Sequence, residues 1–168
     1  MTASHLPRVP WNAGWTGEEA FEIRPCRYAG GRLAIWQPFA PGTGKPIFAK
    51  PHQVRQRKSI AEMRCTVCGE RTAAGDRWWF GLGTFDGEWW MTTEAPVHRA
   101  CADHAFNVCP HLRARAIGPE PMPGGYKVVA TLVGGEAVDR DFGVRVAGRT
   151  VIGSLKLAWP RSIVRVAP

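Results

Sequence analysis

No stretch of this chain approaches the roughly 20 consecutive apolar residues a membrane-spanning helix needs, so no membrane partner is expected. The first ten residues, Met1-Thr-Ala-Ser-His-Leu-Pro-Arg-Val-Pro10, also lack the apolar core of a secretory signal, which points to a cytoplasmic protein. Several catalytic signatures are missing too. Gly42-Thr-Gly44-Lys45 does not have the spacing of a phosphate-cradling loop. There is no Gly-x-Ser-x-Gly elbow, and the His-x-Glu and Pro-Cys-x-x-Cys elements of zinc deaminases are absent. Nothing points to a small-molecule substrate, and a non-enzymatic protein is expected.

Acidic residues are scarce. There are 14 Asp and Glu against 22 Lys and Arg, a formal net charge of +8. Such a balance attracts polyanions, so the expected partner is nucleic acid or an acidic protein surface. An apolar content of 45% is ordinary for a globular chain and argues against wholesale disorder. Eight tryptophans supply large apolar areas for a core, or for a contact surface.

Residues 1–45 are rich in Pro, Gly and Trp without a sustained period, and are expected to form an N-terminal arm with a short strand at Arg32–Trp36. Residues 46–118 carry the motifs described below. Within them Pro51–Arg64 suits an amphipathic helix in the chain's densest basic stretch. Its Arg55, Arg57 and Lys58, with Arg113 and Arg115 further on, are the candidate contacts to an acidic partner. A β-hairpin is expected from Arg77–Gly83 and Glu88–Thr93 around the Asp86-Gly87 turn, and a helix from Arg99 to about Val108. Alternation along that hairpin puts one residue of each pair, Trp78/Trp79 and Trp89/Trp90, on the face opposite its neighbour. Residues 119–168 are expected to form a C-terminal antiparallel β-sheet with strands at Lys127–Val133, Gly143–Ala147, Thr150–Leu157 and Ser162–Val166.

Five cysteines in a reducing compartment suggest metal binding before disulfides. Cys65-Thr-Val-Cys68 is followed by Gly69, which permits the tight turn of a metal knuckle. His98-Arg-Ala-Cys101 repeats the two-residue gap at the start of the expected helix. Knuckle, hairpin and a helix whose first turn supplies two more ligands is the order of a zinc-bound treble-clef-like ββα module. The fold class expected is therefore α+β, with that module between the arm and the C-terminal sheet. The preferred ligands are Cys65, Cys68, His98 and Cys101. Cys101 with His104, or a set using Cys109 or His111, are the alternatives for the second pair. Four protein ligands close a tetrahedral shell, so the zinc would be structural. Cys26 is expected in the core, while His5 and His52 carry no pattern.

Phe48–Lys58, Met63-Arg-Cys-Thr-Val-Cys-Gly69, Pro96-Val-His-Arg-Ala-Cys101 and Val108-Cys-Pro-His-Leu112 together resemble a group of small uncharacterised zinc-containing proteins from actinobacteria and their bacteriophages. The resemblance covers residues 45–112, and in that group Cys usually stands where this chain has His98. It implies the same ligand set and a treble-clef fold, and it implies no activity. Two other functional readings remain at this point. One is a protein-protein adaptor or phage-type inhibitor. The other is a His-Me-finger-like nuclease built on Asp103, His104, Asn107 and His111.

Overall fold

The computed structural model describes residues 6–164, which form a mixed α+β protein with four helices and several sheets. Its centre is β10 (Val151–Pro160), a ten-residue strand buried along most of its length. One edge of β10 carries β9 (Lys127–Val133), antiparallel, with Ala130 opposite Leu155 and Val128 opposite Leu157. The other edge is shared. β3 (Leu33–Trp36) runs parallel to it at Ile152, and β7 (Trp89–Thr92) runs antiparallel from Leu157 to Pro160. β2 (Glu22–Pro25) extends the sheet beyond β3, and β6 (Thr84–Asp86) beyond β7. N-terminal, middle and C-terminal segments of the chain thus meet in one sheet.

The N-terminal stretch is more than an arm. β1 (Ala13–Trp15) pairs with β4 (Pro46–Pro51), and β2 and β3 pair antiparallel as part of the large sheet. The strand expected at Arg32–Trp36 is β3. Trp11 and Asn12 donate backbone hydrogen bonds to Val67 and Thr66 at 2.9 and 3.1 Å, joining this stretch to the knuckle.

Helix α1 (Gln53–Glu62) forms where the sequence places it, but its two arginines are not solvated. Arg55 and Arg57 are each 1% exposed, which corrects their assignment as partner contacts. Both are held by acceptors from distant strands and turns. Arg55 makes a two-pronged contact with Glu18 at 2.8 Å on each prong and donates to Ala13 O at 2.7 Å. Arg57 donates to Gly153 O at 2.6 Å and to Ile35 O. Gln56 completes the set. Its carboxamide donates to Leu155 O and accepts from Leu155 N, at 2.7 and 3.1 Å, and also donates to Thr93 O. β3 and β7 leave a gap against β10, and Gln56 fills it as a strand's peptide group would. A buried donor or acceptor without a partner costs about 1–3 kcal/mol, so these polar side chains are required where they sit.

The start of α1 depends on His52, fully buried at the N-cap position. Its Nδ1 accepts from Val54 N and Arg55 N, both at 3.2 Å, and its Nε2 lies 2.9 Å from Pro38 O. Nε2 therefore carries the proton. Burial, first, pulls the His52 pKa down to about 4, and the nearby Arg55 and Arg57 charges act in the same direction. Burial alone would raise the Glu18 carboxyl, but hydrogen bonds from Arg55 and Ala40 N hold it below its usual range.

The tryptophans divide as the alternation requires. Trp79, Trp90 and Trp159 join Ile60, Leu155 and Leu157 in the main core, with the Trp79 and Trp159 ring centroids 4.9 Å apart. Trp78 and Trp89 are half-exposed, each covered by a cation: Arg99 at 4.2 Å and Lys127 at 4.3 Å from the ring centroids.

Three other expectations need correction. The hairpin is β6 with β7 about Gly87, and Arg77–Gly83 is not its first arm. Gly81 turns the chain into left-handed backbone at φ +64, and Trp78, in β5 (Trp78–Trp79), exchanges backbone hydrogen bonds with Val97 instead. β5 pairs with β8 (Glu120–Pro121). Gly143–Ala147 is not a strand: positive φ at Gly143, Ala147 and Gly148 breaks the extended path, although Val146 is buried. A short helix, α4 (Gly135–Phe142), precedes it. Ser162–Val164 forms no strand, and Arg165–Val166 lies outside the described residues, as does His5.

Candidate metal centre

The knuckle is set by backbone geometry before any side chain is considered. Gly69 N donates to Cys65 O, and Cys65 N to Glu70 O, each at 2.8 Å. This needs Gly69 at φ +82, and a Cβ there would also meet the Trp11 ring within 2.9 Å. Only glycine satisfies both conditions. The turn brings Cys65 and Cys68 to the same side.

The second pair comes from the first turn of α2 (Arg99–Val108), with His98 at its N-cap. The capping duty falls to Asp76, whose Oδ1 accepts from Arg99 N at 2.8 Å. The His98 ring is thereby free to turn toward the knuckle. Its Nε2 lies 3.2 Å from Arg71 O and donates to it, which leaves the Nδ1 lone pair for a metal.

The ligand atoms of Cys65, Cys68, His98 and Cys101 all lie within 4.8 Å of one another. His98 Nδ1 is 3.4 Å from Cys68 Sγ and 3.9 Å from Cys101 Sγ. A tetrahedral zinc with sulfur at about 2.3 Å and nitrogen at about 2.1 Å would set this separation at about 3.6 Å. The residues fit a single metal ion. Cys65 and Cys101 are buried, and Val67, Val97 and Ala102 pack with them.

The electrostatics decide when these sulfurs ionise. Burial raises the Cys101 thiol far above its ordinary value, and the neighbouring Cys65 and Cys68 sulfurs raise it further. Burial raises Cys65 too, against hydrogen bonds from the Cys68, His98 and Val67 N–H groups aimed at its sulfur. Three thiolates cannot share this space without a positive charge between them.

The alternative ligands lie apart from this group. Among the described residues these four are the ones gathered within ligating reach. His104 sits on α2 with Nε2 buried and unpartnered, Cys109 caps α3 (Pro110–Ala114), and His111 is exposed on it. Of the residues named for a nuclease, Asp103 is paired with Arg99 at 3.0 Å. Cys26 is buried with Ala29, Ala34 and Ile152, as expected of a core residue.

Of the candidate partner contacts, Arg113 and Arg115 are exposed, Lys58 is half-buried, and Arg55 and Arg57 are interior. The sequence reading missed the structural role of His52. A His immediately after Pro51 and before the helix stood in N-cap position, but imidazole is an uncommon cap and carried no recognisable signal. No described helix is long and apolar enough to cross a membrane. No family model, curated protein or solved structure matches this chain.

Proposed function

We propose that the protein is a non-enzymatic binding module, held together by one structural zinc, whose partner is a nucleic acid. The observation that carries this reading is the closed set of Cys65, Cys68, His98 and Cys101. Three sulfurs and one imidazole nitrogen suit zinc, and four protein ligands leave no open position for a reacting water. The metal then works on the fold: it ties the knuckle after α1 to the start of α2. We place the unit closest to a treble clef whose hairpin, β6–β7, has been drawn into the large sheet by β10.

The nucleic-acid partner is supported by the net charge of +8 and by arginines that the core does not use, Arg113 and Arg115 among them. A second reading, a protein-protein adaptor or inhibitor, is favoured by the exposure of Phe48 and Phe39, at 67% and 51%. Salt separates the two. Nucleic-acid affinity falls steeply with salt, whereas an apolar contact barely responds.

The metal is tested by purification without chelator and plasma emission spectrometry. The expected result is one zinc per chain, lost in Cys65→Ser and His98→Ala together with cooperative unfolding. Metal retained in full by His98→Ala would move the second pair elsewhere. A metal-free wild type would end the zinc reading.

A further inference from the structure

With Arg55 and Arg57 consumed inside, the charge available to a partner is concentrated elsewhere. The turn between β2 and β3 presents Arg27 and Tyr28, with the Arg27 guanidinium 5.4 Å from the Tyr28 ring centroid. The end of α1 faces the same region. Glu62 is bound by Arg64 and lies 3.5 Å from Arg71, and the Lys58 charge also bears on it. Tyr28 packs against the core cluster that contains Ile60 of α1 and Met63 just after it. Arg64, Arg71 and Lys58 thus bear on Glu62, and Arg27 on Tyr28. Arg71 is 68% exposed, and Arg27 is exposed as well.

Beside Tyr28 the surface is concave. A groove of about 320 Å³ runs between this turn and β9, open to solvent and walled by Tyr28, Val128, Ala130 and Leu155, with Arg32 at its rim. That volume lies at the lower end of ligand-sized clefts, about 300–1,000 Å³. The groove exists because α1 and the turn cover the face of β10 but stop short of β9, leaving Val128 47% exposed. Gly30 and Gly31, both at positive φ, bend the chain at its border, and a side chain at either would meet open space.

A slot of mixed polar and apolar lining, with the Tyr28 ring as one wall, Arg32 lining it and Arg27 beside Tyr28, has the chemistry of a single-stranded nucleic-acid site. Bases bring flat apolar faces, and the phosphates between them bring one negative charge each. We infer that the groove beside Tyr28 takes an unpaired base of a single-stranded nucleic acid, with adjoining phosphates on Arg27, Arg32, Lys58, Arg64 and Arg71. A duplex keeps its bases stacked and cannot use the slot. The inference rests on the nucleic-acid reading above and gives that reading a specific face.

The test is fluorescence anisotropy of a labelled oligothymidylate, about 12 nucleotides long, across a salt series with the protein purified without chelator. Each phosphate contact on a single strand contributes about 0.7 to the slope of log affinity against log salt. The Arg27→Ala/Arg71→Ala variant, altered only at exposed positions, should flatten that slope by about 1.4 (two contacts). Arg140→Ala, exposed on α4, should leave it unchanged. Tyr28→Leu should weaken binding roughly 5- to 150-fold, as loss of base stacking does, with the slope intact, provided its thermal melt stays cooperative. An unchanged slope in the Arg27/Arg71 variant, or binding to duplex in preference to single strand, overturns the groove assignment while leaving nucleic-acid binding in place. No binding to either form at low salt overturns both.

Discussion

His52 should make the protein acid-sensitive in a defined window. The ring is fully buried, its Nδ1 caps two N–H groups of α1 and its Nε2–H is given to Pro38 O, so it has no room for a second proton. Burial brings its pKa from 6.5 to about 4. An unfolded chain takes up that proton as pH falls through about 6.5, while the folded chain does so only near 4. Between those values the unfolded state binds more protons, so stability is full above the upper value and declines toward the lower one. At about 1.4 kcal/mol per pH unit, the decline attributable to this one residue is about 3 kcal/mol. The assay is urea unfolding of wild type and His52→Asn at pH values from 7.5 to 4. Asparagine supplies a capping oxygen and does not titrate. Metal loss at low pH affects both proteins alike, so the difference between them isolates the ring. The wild type should lose about 3 kcal/mol more than His52→Asn across the window. A pH-independent difference, or an Nδ1–H tautomer detected by nitrogen NMR, would refute the reasoning.

Other outcomes follow from the same interior. Glu18→Ala leaves Arg55 as an uncompensated buried cation and should cost about 3–5 kcal/mol by urea unfolding. The double variant Glu18→Gln/Arg55→Met should be less damaging than the sum of its single changes, and additivity would show that the pair is not coupled. Gln56→Leu strands both backbone groups of Leu155, a cost of at least about 2 kcal/mol, with faster amide exchange at Leu155 as the local signature. Gly69→Ala forces a side chain into left-handed backbone against Trp11. It should destabilise by at least about 1 kcal/mol and weaken metal retention in a chelator competition, and wild-type retention would count against the knuckle geometry.

The parts of this fold legible in the sequence are those with local causes. Cys65, Cys68, His98 and Cys101 announce themselves by spacing, and α2 begins at Arg99 because Pro96 and the capping position set its start. β9 was visible as a run rich in β-branched residues, and β10 as the expected strand Thr150–Leu157, which continues in the structure to Pro160. What stayed hidden was decided at long range. Nothing near Arg55 or Arg57 in sequence says that their acceptors are Glu18, Ala13, Ile35 and Gly153. Cationic residues are almost never fully buried unless paired, so a helix carrying them looked solvated. The failed arm at Arg77–Gly83 has the same origin. Trp78 and Trp79 have strong strand preference, but their pairing went to Val97 and β8 once Gly81 turned the chain away.

β10 also sets an order on how the molecule is assembled. It is the last strand among the described residues, yet it carries β3 on one side of the Gln56 gap and β7 on the other. Ile152 meets Ala34 across 118 positions of sequence (152 minus 34). A chain emerging from a ribosome therefore has β2–β3, α1 and the metal ligands in hand well before the strand that joins them. Until β10 arrives, the polar side chains of α1 face a half-built interior. Pairings between such distant segments form slowly because the loop-closure entropy is met before the contacts reward it. The knuckle and α2 are separated by a far shorter loop. They can bind metal first, as a pre-organised piece onto which the rest of the sheet closes.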